Sequence, residues 1–303
     1  MILVKPIDIN DSNLTSSTIP EPDTARGEVE WVSGTTYNLG DRVIKSSTHR
    51  EYQSVKAANT DDPEVGVNSD PATWVDVGAT NRYKMFDEAN NTQSVGDNIV
   101  IEITPNQLYN GLGAFNVNCE TITVSMIDGG NTVYTKSIEM RDRPLVDGWY
   151  NYFFSGIDFI TRFILLDLPP IKTATLRVEF SGTDVAVGTV SFGRQFSFGT
   201  AQYDTGVEVL DFSNPIEDQF GNISYTDGFT ADLVNFKVHT MKPRLGQNSR
   251  EIKALGKKKP AIWVGDPSDI NDATAVYGYN RDYRQTYSSP TVCTVNITVR
   301  GIV

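Results

Sequence analysis

Apolar and polar residues alternate along most of this chain in short runs, and glycine, proline, asparagine and aspartate separate the runs. A period of two over four to eight residues marks a half-buried strand. The alternation predicts strands at residues 98–104, 121–126, 132–138, 163–166, 174–180 and 188–192. Asp128-Gly129-Gly130-Asn131, between the second and third of these, predicts a tight hairpin, because glycine reaches the positive φ such turns need. Five further candidates lie at 207–210, 231–238, 261–264, 275–279 and 292–299. No long segment of helical period stands out, so the expected class is all-β.

With 303 residues, the chain has room for two or three cores. Turn and extended signals with little to bury predict an N-terminal arm over 1–26, lying on a neighbour or disordered. Residues 27–87 predict a small β domain, 88–200 an antiparallel β-sandwich (jelly-roll-like), and 201–303 a C-terminal β domain for assembly. The small domain repeats aromatics at Trp31, Tyr37, Tyr52 and Trp74, with Gly40-Asp41 placed for a tight turn. So small a unit has little to bury and fills its core with a few large side chains. The same rings, if exposed, would form a stacking platform for sugar faces. Both readings stand at this point.

The order Trp31, Tyr37, Gly40-Asp41-Arg42-Val43, Tyr52, Pro71, Trp74 resembles the small chitin-binding type of carbohydrate-binding module. Asn81-Arg82-Tyr83-Lys84-Met85-Phe86-Asp87 resembles the segment that follows this module in tail and other virion proteins of tailed bacteriophages. Asp218-Gln-Phe-Gly-Asn222, Ile262-Trp-Val-Gly-Asp266 and Ala275-Val-Tyr-Gly-Tyr279 are similar to the ends of phage tail proteins. The middle unit resembles the galactose-binding-like sandwiches in strand rhythm alone. These resemblances imply a tail or baseplate subunit whose small domain either touches host surface glycan through one or two of Trp31, Tyr37, Tyr52 and Trp74 or simply decorates the outside. The polar bridge 46–50 departs from the module's pattern beside Tyr52.

Charge and chemistry narrow this further. A net charge of −12 argues against general nucleic-acid binding and against an anionic membrane surface. No apolar run approaches the about 18 residues of a membrane span. Residues 242–259 reverse the sign, with Lys242, Arg244, Arg250, Lys253, Lys257, Lys258 and Lys259 against Glu251 alone. That stretch reads as a solvated basic face or as a docking surface for an acidic neighbouring subunit. Cys119 and Cys293 lack metal or redox spacing, and each stands in a strand-like run, which predicts buried thiols. His49 and His239 fall in different predicted domains, and no metalloprotease, nucleophile-elbow or phosphate-loop motif occurs. Asp266, Asp269 and Asp272 are not spaced as a calcium loop.

The expectation is a non-enzymatic structural component of a phage tail, without cofactor or metal. It would dock on other tail subunits as a homo-oligomer around the tail axis. It would assemble in the host cytoplasm and reach the outside in the virion, which accounts for a glycan-binding type of domain without an export signal at Met1. The alternative is a secreted chitin- or glycan-binding protein, or an accessory part of a glycoside hydrolase; carboxylate pairs among the 38 acidic residues are numerous, and only geometry selects a catalytic one.

Overall fold

The chain winds around one long strand. The computed structural model describes residues 1–142, 149, 158–217, 219–256, 259–267 and 273–302, and it is an all-β structure. Among the described residues, fourteen strands join in one extended sheet. Its first strands are β1 (Ile2–Pro6) and β2 (Leu14–Ser17). β3 (Arg42–Lys45), β4 (Arg50–Ser54) and β5 (Trp74–Ala79) form a separate three-stranded sheet.

The middle unit comprises β6 (Ser94–Ile103), β7 (Gly111–Asn118), β8 (Thr121–Asp128), β9 (Asn131–Glu139), the paired β10 (Arg141–Asp142) and β11 (Asp158–Phe159), β12 (Arg162–Leu165) and β13 (Thr175–Ser197). β13 pairs with β8 over Thr175–Ser181 and with β6 on both sides of an irregularity between Ser181 and Val185, and from Ala186 onward it pairs with β7. Alternate residues point inward: Ile99, Ile101 and Ile103 of β6, Ile122, Val124 and Met126 of β8, and Leu176, Val178 and Phe180 of β13 share one core. The β8–β9 turn is the expected hairpin, with Gly129 at φ 56° and Gly130 at φ 83° joining Asp128 to Asn131.

Beyond this unit come β14 (Thr200–Ala201), β15 (Gly206–Asp211), β16 (Asn214–Glu217), β17 (Ile223–Thr226), β18 (Thr230–Met241), β19 (Ala261–Val264), β20 (Ala275–Thr286) and β21 (Val292–Gly301). Helix α1 (Pro63–Gly66) belongs to the small domain, and α2 (Leu245–Leu255) follows β18. Val234, Phe236 and Val238 of β18, Val295 and Ile297 of β21, Trp263 of β19 and the inner face of α2 make the C-terminal core.

One expectation is overturned. The stretch 1–26 is no arm: β1 lies between β13 and β19, antiparallel to both, with Leu3 and Val4 fully buried. Leu3 belongs to the C-terminal core, whereas Val4 joins Phe115, Ile164, Ile262 and Tyr277 in a cluster at the seam between the two larger units. The contact is close enough that a methyl group at Gly193 would collide with the Lys5 carbonyl. β2 adds to the edge of β6. Thus the first residues complete sheets formed by residues more than 80 positions away, a long-range pairing that local pattern does not reveal.

Candidate functional site

The four candidate sugar-binding aromatics were read from spacing, and the structure separates them. Tyr37, Tyr52 and Trp74 are buried and, with Val43, form the core of the small domain. Tyr37 meets Trp74 edge-on at 5.5 Å. Their polar edges are also occupied: the Tyr37 hydroxyl accepts from Val32 N at 2.9 Å, Trp74 Nε1 donates to Asp61 O at 2.9 Å, and Tyr52 Oη lies 3.0 Å from Thr48 Oγ1. Gly66 is required beneath Trp74, since a Cβ there would stand 2.4 Å from the indole. Trp31 is half-buried, with the Lys45 ammonium 5.2 Å from its ring centre. Its indole nitrogen is buried and has no acceptor among the described residues. No stacking platform is assembled, because three rings have no free face and the fourth turns its N–H inward.

The segment Asn81–Asp87 has a clear structural role. Asn81 is buried, and it ties three parts of the chain together. Its Nδ2 donates to Asp23 Oδ2 at 2.8 Å and to Val95 O at 2.9 Å; its Oδ1 accepts from Val95 N at 2.9 Å; its backbone N donates to Glu28 Oε1 at 2.6 Å. Beside it, His49 bridges two carboxylates, with Nδ1 3.0 Å from Glu21 and Nε2 3.1 Å from Asp11, and stacks on Tyr83 at 3.8 Å. Glu21 also accepts from Thr80 Oγ1 at 2.6 Å, and Asp11 from the Tyr83 hydroxyl at 2.8 Å. The Tyr83 bond, together with His49, holds the Asp11 carboxyl below its ordinary value despite some desolvation. The polar groups of Asn81, His49, Glu21 and Asp11 have structural partners, although the buried Arg82 Nε has none among the described residues, so the histidine and its carboxylates fasten the small domain to the rest of the chain. A cleft of about 330 Å³ runs alongside, with Arg42 paired to Glu51 at 3.4 Å on its wall.

The basic stretch becomes the 3₁₀ turn Lys242–Arg244 and helix α2. Leu245, Asn248, Ile252 and Leu255 face inward, a spacing of three or four residues that fits one helical face. Lys242, Arg244, Arg250 and Lys253 are exposed and have no carboxylate partner among the described residues. Lys259 pairs with Asp8, which takes it out of any docking face. Lys257 and Lys258 lie outside the described residues, as do Asp269 and Asp272.

The feature that sequence reading missed is a ribbon at the other end of β18. β15 pairs with the first half of β18, and the bond from Phe212 N to Phe229 O carries the ladder onward into the β16–β17 hairpin. Between Tyr203 and Thr230, no described residue is buried. Yet the ribbon carries Val209, Phe212, Ile216, Ile223, Tyr225 and Phe229 at exposures from 49 to 70 %. On one face Pro215 lies opposite Tyr225, and Glu217 opposite Ile223. The available signal was apolar alternation with no partner strand nearby, which short polar spacers obscured.

Cys119 and Cys293 are free, buried and in different cores, and burial pushes the Cys119 thiol up to about 12. Among the described residues, no three His, Cys, Asp or Glu side chains gather as a metal site, and no helix is long and apolar enough to cross a membrane. Comparison of the chain with protein-family models, with curated proteins and with solved structures finds no match.

Proposed function

We propose that this chain is a non-enzymatic structural subunit of a bacteriophage tail, at the baseplate or tail tip, that docks on neighbouring subunits through its C-terminal unit. The observation that carries the docking role is the ribbon at 203–230. A two-stranded hairpin is marginal by itself in water, and large apolar side chains with no core beneath them mark an interaction surface. The tail assignment rests on the resemblance of Asn81–Asp87 and of the pieces near 218–222, 262–266 and 275–279 to phage tail proteins. In this reading recognition is by shape and β-surface, without turnover. The small domain serves as a rigid outward spacer, since its aromatics are spent on its own core.

Antibody raised against the chain and applied to purified phage particles tests the reading by electron microscopy. Decoration of the distal tail is the expected result; particles that carry no label, or carry it only on the capsid, refute it. Retention on chitin should be nil, whereas retention abolished by Trp31→Ala would restore a sugar-binding role and favour a secreted glycan-binding protein.

A further inference from the structure

The ribbon and the basic helix are complementary in sign and lie at opposite ends of one strand. Residues 203–229 hold six carboxylates and no lysine or arginine. Of these, Glu208, Asp211, Glu217 and Asp227 are exposed, and Asp204 is paired with Lys237. The far end of β18 presents the reverse composition. Met241, Tyr287 and Val292 are exposed there, Met241 pairing with Val292 in register, and Lys242 and Arg244 follow directly in the chain. Arg250 and Lys253 continue the positive face along α2. One end is thus apolar with mainly acidic neighbours, the Arg300 guanidinium 4.8 Å from the Phe212 ring centre being the exception, and the other is apolar with basic neighbours.

These two surfaces cannot satisfy each other within one chain. β18 has 12 residues, which at about 3.3 Å each separates its ends by roughly 36 Å. Attraction between exposed charges fades over about 8–10 Å at ordinary salt. A second copy removes the constraint, because its basic end can approach the first copy's ribbon directly.

We propose that the ribbon of one copy docks on the Met241–Lys253 end of the next copy, head to tail. A contact between two different surfaces of the same chain is heterologous and closes into a ring when its rotation allows. This inference rests on the structural-subunit reading and specifies the partner of its ribbon as the chain itself. The apolar side chains supply the buried area, and the opposed charges set register and encounter rate.

The test uses the full chain and two variants altered only at exposed positions. In one, Glu208→Lys and Glu217→Lys reverse the ribbon; in the other, Arg250→Glu and Lys253→Glu reverse the helix. Sedimentation should find the native chain as a defined oligomer at low salt and each variant as a folded monomer, associating at least about tenfold more weakly. An equimolar mixture of the two variants should reassemble, because each again meets a surface of opposite sign. A native chain that stays monomeric at every concentration overturns the proposal, and so do two variants that keep the native mass. A native ring that the mixture restores, together with phage particles that take no antibody, would support the interface and remove the tail assignment.

Discussion

Asn81 illustrates how much a single side chain can hold. Its amide group meets Asp23 and both backbone groups of Val95, so the N-terminal segment, the small domain and strand β6 converge on one buried residue. Asn81→Ala would take the Asn81 bond from the Val95 amide and leave Asp23 only its long 3.8 Å ion pair with Arg26, and buried polar groups left unpaired cost about 1–3 kcal/mol each. Urea denaturation should register a loss of about 2–4 kcal/mol, with the small domain released first. Asp11 makes a weaker bond at the same hub that depends on pH. Its folded pKa is held below the ordinary 3.8, so its contribution is present above that value and drains away as pH falls through the lower, folded one. Denaturation of the native chain and of Asp11→Asn from pH 6 down to pH 2.5 should show a stability gap that closes at the acid end. A gap that stayed constant would mean that Asp11 is unperturbed.

Individual strands were legible wherever one face is buried and the other wet. Residues 121–126 and 132–138 fall within β8 and β9, 98–104 overlaps β6 but runs one residue past its end, and 261–264 coincides with β19. β7 escaped notice because its sequence, Gly-Leu-Gly-Ala-Phe-Asn-Val-Asn, is buried on both sides and shows no clean alternation. The runs at 174–180 and 188–192 are one strand, joined through the polar stretch where β13 changes partners. β1 gives the sharpest test at this scale. As a detached arm it would tolerate Leu3→Ala; as a central strand with Leu3 fully buried, it should lose about 2–5 kcal/mol. A thermal melt of that variant distinguishes the two.

Across the whole molecule, charge is segregated along the chain. The acidic ribbon and the basic helix end sit at the two ends of β18, within a chain whose net charge is −12. The seam formed by β1, with Val4 against Phe115, Ile262 and Tyr277, joins the middle and C-terminal units. Forces applied at the ribbon would therefore pass into the middle unit through packed side chains and a continuous β13–β1–β19 ladder.

The sequence by itself determined the class of the fold, the β8–β9 turn, the tight turn at Gly40 (φ 93°, with Asp41 N donating to Asn38 O at 3.1 Å), the local charge reversal at 242–259 and the burial of both thiols. Each of these depends on residues close together in the chain, where periodicity, glycine conformation and composition act directly. Tertiary structure decided the rest. Whether Tyr37, Tyr52 and Trp74 would face solvent or each other depended on how three strands and a one-turn helix closed over them. Whether residues 2–6 formed an arm or a central strand depended on edges supplied by β13 and β19, nearly two hundred residues away or more. The apolar ribbon became visible only once every other strand had found a neighbour, because exposure is a property of the finished packing and is absent from any one segment.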